Sequence, residues 1–252
     1  MTAGHRAEIT LRGSVEVITE FFHYALNNIL YQRCVYPASL FRQEKKYGLS
    51  LMVTQDEKLQ EYLTSVLSQM DKWLTAGHVQ RLVLVFVSAA TKEVRERWTF
   101  NVQQERDAVT GAPVMSSAGS GKTLKDVTRE IQGIMRQITA SVSFLPVVDE
   151  ILAFDLLVYC AKETHVPRAW EDSAPLCIPM RNQQDVRLAS FSTTVHRVDT
   201  MVTYRCDDDV EGDASMLGIA EENKSVNNGK SSETYAAEAG SMLSDKMDVV
   251  LN

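Results

Sequence analysis

The sequence predicts an α+β domain that ends near Cys206 and is followed by an acidic extension. Three observations predict it. Three long segments repeat apolar residues at helical spacing. Five others alternate apolar and polar residues, or run apolar, as strands do. After Cys206 the chain turns to Asp, Glu, Asn, Ser, Gly and Ala, a composition that cannot bury enough apolar surface to order a core.

The first helix is expected over Ser14 to Arg33. Val15, Ile18, Phe22, Ala25, Leu26, Ile29 and Leu30 share one face, and Val17 and Phe21 widen it. Ser14 is placed to cap its start, and Tyr36-Pro37 stops it. Tyr47 to Val53 reads as a short strand. Asp56 then caps a second helix whose stripe is Leu59, Tyr62, Leu63, Val66, Leu67, Met70 and Leu74, and Gly77 ends it. Val79 to Val87 and Val94 to Val102 form a hairpin around Ala89-Ala90-Thr91-Lys92.

Gln103 to Gly121 is rich in Gly, Ser and Ala and is expected to be a loop. Thr123-Leu124-Lys125-Asp126 resembles a capping box and opens a third helix on Leu124, Val127, Ile131, Ile134, Met135, Ile138 and Val142. Gly133, inside that helix, weakens it by about 1 kcal/mol relative to Ala unless packing requires it. Ile151 to Cys160 is a buried strand. Ala161 to Asp185 is irregular, with three prolines. Val186 to Cys206 alternates as one long strand or a hairpin. Within the extension, Ala236 to Leu251 carries a few apolar residues; a weak helix or a docking segment is possible there, and disorder is the expected state.

Composition limits function. Apolar residues at 44% and charged residues at 23% match a soluble globular chain. A net charge of −7 argues against direct, sequence-independent nucleic-acid binding. No apolar run is long enough to span a bilayer, so no membrane insertion is expected. Cys34, Cys160, Cys177 and Cys206 form no C-x-x-C pair, so no metal site is expected and free thiols of a reducing compartment are.

Several strings look chemical. Gly119-Ser120-Gly121-Lys122-Thr123 resembles the end of a phosphate-binding loop, the basis of a third reading as a small NTPase. The pattern needs a further glycine where Ser116 stands and a strand feeding the loop. Asp207-Asp208-Asp209-Val210-Glu211-Gly212 resembles a calcium loop, but Gly218 stands where the clamping Glu should be. His23, His78, His165 and His196 show no ligand spacing, and neither Cys34 nor Cys160 has a local nucleophile signature. No catalytic residue and no cofactor is expected. Trp73 and Trp98 read as core or interface anchors. One feature points to binding: a β-rich chain with long strands at Ile151–Cys160 and Val186–Cys206 can accept an added peptide strand at a sheet edge.

Blocks of the sequence resemble the HORMA family, in its spindle assembly checkpoint branch. They are Ile9-Thr10-Leu11-Arg12-Gly13-Ser14, Ile29-Leu30-Tyr31-Gln32-Arg33, Lys46-Tyr47-Gly48-Leu49, Glu96-Arg97-Trp98 and Arg136-Gln137-Ile138-Thr139-Ala140. Phe144-Leu145-Pro146, Phe154-Asp155-Leu156-Leu157, Val186-Arg187-Leu188, Ser190-Phe191 and His196-Arg197-Val198 continue the series in order, from about residue 9 to 206.

The resemblance implies a HORMA domain over 9–206, with three helices on a mainly antiparallel sheet; composition sets the acidic, disordered extension at 207–252. The resemblance implies a mobile safety belt, about 161–206, that includes Val186, Leu188, Phe191, Val195, Val198 and Tyr204 and wraps a short peptide. The pairing edge would be Leu152, Phe154, Leu156 and Val158. Trp73 and Trp98 would anchor core and belt. Arg136, Gln137 and Phe144 would form a dimer and partner face. The implied partners are the co-activator of the anaphase-promoting complex, a kinetochore coiled-coil receptor, a silencing HORMA-like protein, and a second copy, with open and closed forms pairing. The implied locations are nucleus, kinetochore and cytoplasm. The same fold also serves translesion polymerases and meiotic chromosome axes, which is the second reading. The loop at 103–121 and the extension depart from the family pattern, and the extension is expected to bias the open–closed switch.

Overall fold

The computed structural model describes residues 8–117, 122–206 and 247–251. Three helices, α1 (Leu11–Gln32), α2 (Glu57–Thr75) and α3 (Leu124–Ala140), lie on a seven-stranded sheet. Its strands are β3 (Val79–Ser88), β4 (Val94–Gln104), β5 (Leu152–Cys160), β6 (Trp170–Asp172), β7 (Gln183–Ser192), β8 (His196–Arg205) and β9 (Met247–Leu251). Their spatial order is β6-β9-β5-β3-β4-β8-β7. All pairs are antiparallel except those of β9, which runs parallel to both β5 and β6. The expected α+β class with three helices on a mainly antiparallel sheet is what the chain adopts.

A separate hairpin, β1 (Phe41–Lys46) with β2 (Leu49–Thr54), docks on α1. Of the two strands, β2 is expected and β1 is new, since Phe41-Arg-Gln-Glu-Lys-Lys46 has one buried residue and no apolar alternation. Buried asparagines of α1 fix this hairpin. Asn27 Oδ1 accepts from the Thr54 amide at 2.8 Å, and Asn28 Oδ1 accepts from the Met52 amide at 3.1 Å.

The first helix begins three residues earlier than expected. Thr10, not Ser14, is its cap and accepts from the Gly13 amide at 3.2 Å. The third helix opens on the expected capping box: Thr123 Oγ1 accepts from the Asp126 amide, and Asp126 Oδ2 accepts from the Thr123 amide at 3.0 Å. Val186–Cys206 resolves as a hairpin. Thr194 turns it at φ 72, in the left-handed region that few residues other than glycine adopt. In the expected loop, Arg106 bridges Pro113 and Ser116 bridges Thr10, tying its described part to the start of α1.

Strand alternation divides the core. Leu82, Leu84, Phe86, Leu156 and Val158 face the helices and join the main cluster. Val83, Val85, Leu157 and Tyr159 face the other way and form a smaller cluster with Val94, Ile178 and Val250. Among the described residues, none from the three helices joins the second cluster. The irregular segment between β5 and β7 covers it instead, through Ile178 and Leu176.

Candidate functional site

The pairing edge expected at β5 is where the sheet accepts an extra strand. Leu157 to Cys160 pair with Asp248 to Leu251 in parallel register, Val158 opposite Val249. On the far side of β9, Trp170 to Asp172 pair with Met247 to Val249. The Ser173 amide donates to the Val249 carbonyl at 2.8 Å, and the Met247 amide donates to the Ala169 carbonyl at 3.4 Å. β9 therefore lies in a slot between two strands, with backbone bonds on both sides.

The slot is also closed above and below. Val249 is fully buried in the main cluster, against which Met247 and Leu251 pack. Val250 points the opposite way and is buried in the second cluster with Ile178. The strap of residues 161–182 thus passes around β9: β6 flanks it, and Ile178 helps cover its outer face. Trp73 of α2 fixes this strap. Its indole nitrogen donates to the His165 carbonyl at 3.2 Å, and its ring meets that of Trp170 edge-on, with centroids 4.8 Å apart.

The expectation for the acidic extension needs correction at its end, where residues 247–251 form an ordered strand and not a disordered one. The apolar residues near Leu251 are open to a docking role in the sequence, and the strand they form depends on the two neighbours it lies between. The possible calcium loop at Asp207 to Gly212, like Gly119 to Gly121 of the phosphate-loop string, lies outside the described residues.

The belt expectation also changes in detail. Val186, Leu188, Phe191, Val195, Val198 and Tyr204 do not cover the β5 edge. They belong to the β7–β8 hairpin, which pairs with β4 on the opposite side of the sheet. Phe191 packs edge-on against Phe21 of α1 at 5.0 Å, so these residues complete the core. The covering role falls to 161–182. Among Leu152, Phe154, Leu156 and Val158, only Val158 stands opposite β9; the other three fill the core upstream of it. Sequence alternation identifies a strand but not which of its neighbours is missing.

Trp98 lies in the core, on β4 opposite Val202 of the β7–β8 hairpin. It is fully buried, and its indole nitrogen donates to Glu96 Oε1 at 2.6 Å. Glu96 in turn pairs with Arg33 from the end of α1 at 3.0 Å, both side chains being buried. Burial raises the Glu96 pKa, and Arg33 and the indole oppose that rise.

On α3, Arg136 is exposed. Gln137 is occupied within the chain: its Oε1 accepts from the Ala189 amide at 2.6 Å, at the bulge where the β7–β8 register shifts. Phe144 and Val142, just past the helix, are 41% and 59% exposed. An apolar groove of about 560 Å³ lies beside them, lined by Tyr31, Val35, Tyr36, Pro37, Thr139 and Val142 among others.

Lys122 binds Glu130 at 2.7 Å, and Glu130 also accepts from the Ser192 amide, so this lysine ties the start of α3 to β7. Burial pushes the Cys160 thiol up to about 12, which keeps it protonated and unreactive. Ser14 Oγ lies 2.8 Å from His196 Nδ1 and 2.6 Å from Thr193 Oγ1. This Ser–His contact, missed in the sequence because 182 residues separate the partners, is fully buried and pins α1 to the β7–β8 turn.

Comparison with known proteins agrees with the geometry. The pattern of the HORMA domain family matches residues 14–196. The mitotic spindle assembly checkpoint protein MAD2A of Dictyostelium discoideum is 47% identical over 204 residues, covering 81% of this chain and 97% of that protein. Human MAD2A is 44% identical, covering 78% and 93%. Among solved structures, a chain of the mitotic checkpoint complex superimposes with a TM-score of 0.68 at 39% identity, covering 77% of this chain and 99% of that one. Caenorhabditis elegans HTP-2, bound to a HIM-3 closure motif, shares the fold at a TM-score of 0.65 and 12% identity. The chain belongs to the HORMA domain family and, within it, to the MAD2 mitotic spindle checkpoint proteins.

Proposed function

We propose that this checkpoint protein works by binding rather than by catalysis, holding a short peptide strand along β5 beneath the strap of residues 161–182. The observation that carries the reading is the slot itself: two strands that bond an inserted parallel strand on both edges, with apolar cover on both faces. Backbone pairing supplies affinity, and the alternate side-chain pockets supply specificity. Since the occupant is surrounded, the strap must open before a peptide enters or leaves, and binding is slow in both directions.

The ligands we assign, from the resemblance to the checkpoint branch, are a segment of the co-activator of the anaphase-promoting complex and a segment of the kinetochore coiled-coil receptor. Holding the co-activator delays anaphase. The protein then acts at the kinetochore, in the nucleus and in the cytoplasm. The β7–β8 hairpin, docked on β4, leaves the β5 edge to an added strand, the place β9 takes, and we read this as the closed arrangement of an open–closed switch. The exposed Arg136 and Phe144 form the contact face for a second copy and for a silencing HORMA-like partner. The apolar groove beside Val142 favours that placement.

The test is amide hydrogen exchange on the full chain with synthetic peptides from the co-activator and the receptor. Slow-onset protection of residues 152–160 and 169–173 is the expected result. Peptides that leave those amides unchanged, at concentrations that saturate a known checkpoint relative, would sink the reading.

A further inference from the structure

We propose that residues 247–251 are the chain's own ligand for the strap-covered slot, so that a partner peptide enters only by displacing them. This rests on the slot reading and goes beyond it, since it names the resident occupant and the pattern the slot accepts.

The geometry carries it in three ways. First, β9 uses the slot fully along its length, with backbone partners on β5 and on β6 and with Val249 and Val250 buried on opposite faces. A segment resting on a surface would bury one face. Second, the path of the chain fits. Tyr204 of β8 stands level with Phe154 of β5, through Glu96 and Phe86. β8 therefore ends at the end of the sheet where β9 enters, and β9 runs in the β5 direction. The lateral gap is four strand spacings, roughly 19 Å. The 40 residues from 207 to 246 reach at most about 130 Å, so the tether does not restrict docking. A covalent tether makes this docking intramolecular, and it is independent of protein concentration.

Third, the segment is an imperfect ligand, as a displaceable one must be. Asp248 stands opposite Leu157 and Glu171 and feels the negative charges of Asp155 and Glu171. A partner with a basic or neutral residue there avoids this repulsion. The slot thus selects a parallel strand with a branched aliphatic residue at the Val249 position, a second at Val250, and anything but an acid before them. Among the described residues no strand pairs with β5 from Leu152 to Leu156 on this side, where the Tyr62 hydroxyl meets the Leu156 backbone, and a longer partner strand gains bonds there that residues 247–251 do not make.

The experiment compares the full chain, a chain ending at residue 246, and full-length Val249→Asp, by amide exchange at residues 157–160 and at Ser173. The expected result is at least tenfold faster exchange there in the shortened chain and in Val249→Asp, with β3–β4 amides unchanged. A synthetic peptide of residues 241–252 restores protection to the shortened chain but adds none to the full chain. The same peptide carrying Asp248→Lys displaces the resident strand from the full chain. Equal exchange with and without residues 247–252, or failure of the 241–252 peptide to protect the shortened chain at millimolar concentration, would overturn the proposal. Protection that fades on dilution of the full chain would also overturn it, since the strand would then come from a second copy. The slot reading fails on a different result: no protection of the shortened chain by co-activator or receptor peptides.

Discussion

Trp73 and Trp170 meet edge to face, and this contact joins the α2 helix to the strand that walls the far side of the slot. Trp73 comes from a helix that stays packed, and Trp170 from a segment that must move for a peptide to enter. The pair is a latch. Trp73→Ala removes the ring contact and the hydrogen bond to His165, so the strap opens more often. We expect about 3–5 kcal/mol of lost stability, the usual cost of deleting a buried aromatic ring. We also expect faster exchange at 161–173 than at the core strands. Uniformly faster exchange across the whole molecule would mean that Trp73 only fills the core.

Arg33 and Glu96 offer a sharper stability test. Their ion pair joins the end of α1 to β4, and Arg33 also donates to the Pro146 carbonyl at 3.0 Å. Truncating one member leaves the other charge buried and unpaired, which costs about 3–5 kcal/mol. Arg33→Met combined with Glu96→Leu leaves no orphan charge. We expect the double variant to be more stable than either single variant in urea melts, though the Trp98 indole then lacks its acceptor. Additive losses would show that the pair is not coupled.

His196 makes stability depend on pH. Burial pushes its pKa down to about 4 from an ordinary 6.5. The folded state therefore holds a neutral imidazole, while the unfolded chain takes up a proton as pH falls below 6.5. Its stabilising contribution is present above pH 6.5 and is lost as pH falls through 6.5 towards 4. At 1.36 kcal/mol per pKa unit the full effect is about 3 kcal/mol. His196→Gln keeps a group for Ser14 to bond and cannot protonate. Its unfolding free energy should change less between pH 7 and 4.5 than that of the parent chain. Parallel pH curves would show that His196 does not titrate on unfolding.

Much of this architecture is legible in the sequence, for a physical reason. α2, α3 and the β3–β4 hairpin have apolar residues at the period of their own secondary structure, and local pattern is enough to find them. Thr123 and Asp126 announce the α3 cap by spacing alone. The features that carry function are not local. β1 is polar after Phe41 and is held by pairing with β2, whose Met52 and Thr54 amides donate to asparagines of the helix before it. β9 is five residues in an acidic extension and becomes a strand only because β5 and β6 lie on either side. The belt residues alternate like any strand, and nothing in Val186 or Phe191 tells which sheet edge the hairpin takes. The resemblance supplied a belt and an edge, and the structure separates the strap that covers the slot from the hairpin that completes the core.

Gly133 tests the exposed face of α3. A Cβ added there meets nothing within 4 Å, so packing within the chain does not require glycine. Gly133→Ala should stabilise the monomer by about 1 kcal/mol through helix propensity. Should α3 be the contact face for a second copy, the same methyl group enters that contact, and sedimentation would show whether dimer formation changes. A melting temperature that does not rise would mean that the helix holds glycine for a reason inside the monomer.

Asp248 makes occupancy of the slot depend on pH. Its pKa is raised, first by burial and then by Asp155 and Glu171. Asp155, on β5, is raised by burial and eased by Lys92, and Tyr62 of α2 faces both carboxylates. A carboxyl whose docked pKa exceeds its free value takes up a proton on docking. Docking of β9 is therefore strongest at low pH and weakens as pH rises from about 4 through the raised value. Above that raised value the charged form is docked at a cost. Asp248→Asn removes that cost, and the resident strand should hold several-fold more tightly at pH 7, with slower exchange at 157–160 and slower entry of a partner peptide. Residual pH dependence in that variant belongs to Asp155, and Asp155→Asn should remove it. If Asp248→Asn exchanges at the parental rate at pH 7, the repulsion is screened by water at the slot mouth, and the strand is displaced by the partner's own affinity alone.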